Sequence, residues 1–199
     1  MLATILTFQV ERPVFVREQA NKMYSVTSYY NAKMVSEVPI LCLSPIIYSV
    51  IIYFKMGLTI ETNQFFYFYL INLMEAQCGA SFGYFISSVI HTEETAVALC
   101  PIIMMPIVMF GGLFANAGTI KKWISWFQYL SCVRYGFEAI VINEYDHRTY
   151  DLSKGEMNPK YFLDFDIGMW KCLVILAAMT VILRGLSLLF LKLLISKFQ

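Results

Sequence analysis

Glu75 is the residue in this chain that asks most of its surroundings. It sits inside an otherwise uncharged run, Phe65 to Ile90, about 15 Å of helical rise from where that run begins. If the run crosses a bilayer, a carboxylate at that depth costs on the order of 3 kcal/mol by insertion scales. It must then be protonated, paired, or turned toward a watery cavity. Asn72 precedes it by three residues and Gly79 follows by four, on one helical face. Gly79 and Gly83, with Ala80 between them, give the small-xxx-small spacing that lets another helix approach closely. Glu75 is therefore expected to point into a helix bundle, where three roles stay open: a structural hydrogen bond to another helix, a place on a transport pathway, or a proton-coupled step.

Other reactive groups are dispersed. Arg184 lies inside the last apolar stretch and is expected to snorkel toward headgroups. His91, Glu93 and Glu94 share a short loop that reads as solvated, since one His and two adjacent acids on a turn are too few for a metal site. Cys42, Cys78, Cys100, Cys132 and Cys172 form no close-spaced pair, so they read as buried thiols rather than zinc ligands or a disulfide framework. No G-x-x-x-x-G-K-[ST], G-x-S-x-G or H-E-x-x-H occurs. No catalytic residue is assigned, and any ATP hydrolysis must come from elsewhere. A net charge of +1 leaves no footprint for nucleic acid.

The elements that position these groups follow from composition. Hydrophobic residues make up 58% of the 199 and charged ones 15%, where a soluble domain carries roughly 25% charged residues. The mean hydropathy is +0.60. Four stretches, 35–57, 64–90, 95–116 and 170–193, are apolar enough to span. Their lack of period-two alternation argues for helices over a barrel, because lipid obliges the backbone to satisfy its own hydrogen bonds. Residues 9–24 instead mix Glu11, Arg12, Arg17, Glu18 and Lys22 with Val16, Ala20 and Met23 at helical spacing. This reads as an amphipathic helix on the membrane surface or on a partner, with Pro13 at its first position. Residues 1–8 are too short to span and read as the tail of a preceding span. Residues 117–169 begin with an aromatic amphipathic run and end in a polar loop. Basic residues before the first full span and after the last put both ends in the cytoplasm.

Three strings, in order, carry a resemblance: FQVERPVFVREQANKMYSVTSYYNAKMVSEVPI (8–40), GGLFANAGTI (111–120) and WISWFQYLSCVRYGFEAIVINEY (123–145). Together they resemble the G (white/scarlet) subfamily of ABC transporters over nearly the whole chain. The resemblance implies the carboxyl-terminal part of an ABC-2-type transmembrane domain, a single permease domain incomplete at its amino end. In such half-transporters ATP and Mg sit on a nucleotide-binding domain, the permeases work as homo- or heterodimers, and 9–24 is a coupling helix. Glu11, Arg12, Phe15 and Glu18 would then contact that domain. Met105, Val108 and Met109 would line a substrate cavity, with Leu113 and Phe114 as an apolar plug above it. Residues 123–145 would be re-entrant helices in which Arg134 and Glu138 pair away from lipid.

The sequence thus points to an all-α, multi-pass membrane protein. It has about four transmembrane helices, an amphipathic coupling helix and a re-entrant or external helical loop. The expected function is ATP-driven export of a lipid-like or hydrophobic small molecule by alternating access, with no cofactor in this chain. The alternatives are a truncated, non-transporting product and a proton-coupled carrier or intramembrane enzyme centred on Glu75.

Overall fold

In the computed structural model, residues 1–21, 23–58, 62–90, 92–112, 126–145 and 167–196 are described. All regular structure among them is helical: α1 (Leu2–Ala20), α2 (Val26–Met56), α3 (Thr62–Val89), α4 (Glu93–Met109), α5 (Trp126–Leu130), α6 (Cys132–Tyr145) and α7 (Met169–Ser196). Their boundaries have local causes. The Ser25 hydroxyl accepts the Ser28 backbone N–H at 3.2 Å and so caps α2. Gly57, at φ 62°, ends that helix in the left-handed conformation glycine adopts without penalty. Thr92 precedes α4, and Glu93 and Glu94 place negative charge in its first turn, where the helix dipole favours it.

One expectation about α1 is corrected. Pro13 does not open the helix; it lies inside a helix running continuously from Leu2. The reason is tertiary packing. Ile5, Phe8, Arg12, Phe15 and Gln19 recur at helical spacing and are all buried, so their face holds the helix together through a residue that would break an isolated one. The helix α2 also begins at Val26, well before the apolar stretch expected to span.

The centre of the fold is α3. It packs on α7, α2, α6 and α1, while α6 also packs on α7. One core cluster joins Ile71, Cys78 and Phe82 of α3 to Ile107 of α4, Cys132 and Tyr135 of α6, and Cys172 and Leu176 of α7. A second, below it, gathers Phe8 and Phe15 of α1, Tyr30 of α2, Tyr84 of α3 and Leu191 of α7. The outer faces are as apolar as the core: Ile40, Ile47, Ile51 and Phe54 on α2, and Val174, Val181, Leu189 and Leu193 on α7, are exposed. A soluble monomer rarely exposes so continuous an apolar surface. Among the described residues, α2 and α7 are long and apolar enough to cross a membrane. The 28-residue α3 carries more polar residues, and several of these face its neighbours.

Candidate coupling site and intramembrane polar groups

Two rows of side chains leave α1 toward different neighbours. On the first, Gln9 and Arg12 reach the carboxyl end of α3. The Gln9 amide donates to the carbonyls of Ser87 at 3.2 Å and Ile90 at 2.9 Å. The Arg12 guanidinium donates to the same two carbonyls, at 3.3 Å to Ser87 and more closely to Ile90. A helix leaves its last carbonyls without intrahelical partners, and a cation there also meets the negative end of the dipole. Arg12 is only 6% exposed, and burial lowers its pKa from the usual guanidinium value.

The second row faces the start of α2. Phe15 is buried and stacks on Tyr29 with ring centroids 4.2 Å apart. Tyr29 donates to the Glu11 carboxylate at 3.2 Å, and Lys33 bridges Glu11 at 2.6 Å and Glu37 at 3.3 Å. Tyr24 donates to Glu18 at 2.5 Å. Burial, then the bond to Glu18 and its charge, push the Tyr24 hydroxyl up to about 12. Burial and the neighbouring Glu11 raise Tyr29 likewise. Glu11, Arg12, Phe15 and Glu18 thus all make contacts within the chain. The face of α1 left open is Val10, Pro13, Val14 and Arg17, with Val10 64% and Val14 55% exposed.

Deeper in the fold, Glu75 lies half-buried against α6. A Cβ added to Gly136 would stand 2.6 Å from Glu75 Oε2, so glycine is what allows the two helices to meet there. The carboxyl group lines a cavity of about 410 Å³ shared with Ser44, Pro45, Tyr48, Gly79, Met104 and Cys132, and Asn72 lines it too. Asn72 itself donates to the Phe68 carbonyl of its own helix at 2.8 Å.

Arg184 does not snorkel. Its Nη2 donates to Gln77 Oε1 at 2.5 Å and its Nε to Ser81 Oγ at 3.1 Å, both on α3. The packing of α3 on α7 puts two polar acceptors within hydrogen-bond reach of it. The pairing expected of Arg134 with Glu138 is also replaced. Arg134 donates to Gln128 of α5 at 2.7 Å and lies over the Tyr129 ring, while Glu138 accepts the Ile167 backbone N–H at 2.7 Å. The chain turn at Ser131 brings α5 back within reach of Arg134, which four-residue spacing alone does not reveal. On α4, Met105 and Met109 are exposed and Val108 is half-buried. Leu113 and Phe114 lie outside the described residues, as do Lys22 and His91.

Sequence reasoning missed Gln9, Tyr29, Lys33, Gln77 and Ser81. Gln9 had a usable signal: it shares a helical face with Arg12 and the buried Ile5, Phe8 and Phe15.

Residues 1–145 match the family model described as ABC-2 type transporter. The chain is 32% identical over 158 residues to protein white of Drosophila melanogaster, covering 79% of this chain and 22% of that protein. It is 31% identical over 216 residues to the broad substrate specificity ATP-binding cassette transporter ABCG2 of Mus musculus, covering 96% of this chain and 32% of the relative. The chain therefore spans about a fifth to a third of the curated relatives it matches. An all-helical fold with apolar outer faces, the family match over most of its length and white-like relatives agree: the chain belongs to the ABC-2 type transporter family, as a membrane domain of G-subfamily type.

Proposed function

We propose that this domain is the permease through which an ATP-driven transporter exports a lipid-like or hydrophobic small molecule by alternating access. The observation that carries the reading is the division of α1 into a held face and an open one. Arg12 and Phe15 are buried against the bundle while Val10, Pro13, Val14 and Arg17 face outward. A helix so placed takes a push on its open side and passes it inward. The 199 residues contain no phosphate-cradling loop, so they do not fit ATP and Mg. A nucleotide-binding domain is the motor, and its contact falls on the open stripe, with Glu11 and Glu18 at the edges. Arg12 and Phe15, expected from sequence to meet the motor, serve the inner side instead.

The cargo path is proposed along α4. Ile102, Met105 and Met109 form an exposed apolar stripe, and flexible thioethers suit hydrophobic cargo of varied shape. Val108 lies beside the stripe; Leu113 and Phe114, next in sequence and outside the described residues, are assigned the plug, and a second half-transporter closes the cavity.

The test is made in the complete transporter. Arg17→Glu reverses a charge on the open stripe without touching the core, and it is expected to lower transport while ATP hydrolysis continues. Unchanged transport per ATP would remove α1 from the coupling role. A second reading, a proton-coupled carrier centred on Glu75, draws on the cavity beside that carboxyl group. It requires Glu75→Gln to abolish transport, and full transport by that variant rejects it.

A further inference from the structure

The chain order and the packing order disagree around α1. In sequence α1 leads directly into α2, yet it packs chiefly on α3 and α4. The link to α2 joins the packing of Phe8 and Phe15 with Tyr30 and Tyr29 to the Gln19 bond to the Tyr24 carbonyl and to one ion pair, Lys33–Glu11, in which the Glu11 side chain is 46% exposed. Exposed pairs of this kind hold little and are screened by salt. The link to α3 is of another kind. Two side chains one turn apart, Gln9 and Arg12, each donate to the same two carbonyls, Ser87 and Ile90. These carbonyls belong to the end of α3 and the residue after it, directly before α4 begins at Glu93. The Arg12 bonds are charge-assisted and both leave one guanidinium nitrogen, Nη1, which bridges the two carbonyls.

We propose that Arg12, backed by Gln9, is a pin that fastens α1 to the α3–α4 turn, so that a displacement of α1 is delivered to α3 and α4 rather than to α2. This rests on the coupling reading of α1 given above. It makes Arg12 a positioning residue that faces the bundle, and it names the helices that move first. Three features support it. The pin grips the carbonyl end of α3, where a helix runs out of its own donors for its last carbonyls. Ile5, about two turns before Arg12, packs with Ile86, Ala96 and Cys100 of α3 and α4, so the seam continues beyond the pin. And Gly83 of α3 lies so close to the start of α1 that an added Cβ would stand 2.9 Å from the Met1 carbonyl oxygen and 3.2 Å from Thr4 Cβ. The seam is tight from Met1 to Arg12.

The experiment compares Arg12→Gln, Arg12→Lys, Tyr24→Phe and Arg17→Glu in the complete, membrane-reconstituted transporter, recording transported substrate per ATP hydrolysed. Arg12→Gln is expected to keep ATP hydrolysis and to lower transport per ATP by about tenfold, a coupling loss within the ordinary range. Arg12→Lys, which restores a cation to the carbonyls, recovers most of that loss. Tyr24→Phe, which removes the hydroxyl bond in the α1–α2 connection, stays within about twofold of the parent. If Arg12→Gln does not reach the membrane, Gln9→Met removes two of the donors without a buried charge and is expected to lower the same ratio. Normal coupling in a folded Arg12→Gln (or Gln9→Met) protein in which Arg17→Glu does uncouple overturns the pin alone. Uncoupling by Tyr24→Phe as strong as by Arg12→Gln overturns it too, by showing that the push travels through α2. If Arg17→Glu has no effect, the coupling reading fails instead.

Discussion

At the scale of single residues, several polar groups in the apolar part of this molecule are held by side chains and carbonyls of a neighbouring helix. Arg184 is the clearest case, since its guanidinium is spent on Gln77 and Ser81 of α3. Removing an acceptor from a half-buried cation costs more than a neutral hydrogen bond is worth, about 1–3 kcal/mol. Gln77→Leu is therefore expected to lower the thermal midpoint of the detergent-solubilised domain by several degrees. Gln77→Glu, which offers the same atom with a negative charge, should leave the midpoint equal or higher. Equal losses from both substitutions would mean that Arg184 does not depend on Gln77. The sequence places Arg184 in an apolar helix but not beside Gln77, because the register of α7 against α3 is a property of the packed pair. Glu75 is different. Its inward direction is legible from the small residues around it, and the structure sets it against Gly136 beside a cavity.

At the scale of elements, the apolar runs coincide with the helices α2, α3, α4 and α7, of which α2 and α7 are long and apolar enough to cross a membrane. Local rules were less reliable at α1. Pro13 signals a helix start, and the structure carries the helix through it because one buried face spans both sides. That observation leads to a measurable consequence. Pro13→Ala restores a backbone N–H and removes a ring from an outward position, so backbone amide exchange across Gln9 to Phe15 is expected to slow, by up to about tenfold. Faster exchange would mean that the proline is needed to shape α1. The spacing of Ile5, Phe8, Arg12 and Phe15 marks one face of α1, but which neighbour that face meets is not legible from sequence. Glu11, Arg12, Phe15 and Glu18 all fit an amphipathic helix near a motor domain, and only the position of the α3 terminus sends Arg12 inward.

At the scale of the whole molecule, three surfaces with different needs meet on one chain: apolar flanks on α2 and α7, a methionine-bearing stripe on α4, and a mixed polar and apolar stripe on α1. The flanks suit hydrocarbon, and the α1 stripe suits a protein partner, the nucleotide-binding domain proposed above. Site-specific photo-crosslinking in the complete transporter compares these surfaces in one experiment. A photoreactive side chain at Val14 should capture the nucleotide-binding domain, while the same group at Ile47 of α2 or Val181 of α7 should capture lipid. Capture of lipid alone at Val14, with the motor domain crosslinked instead to the α2 flank, would contradict the account.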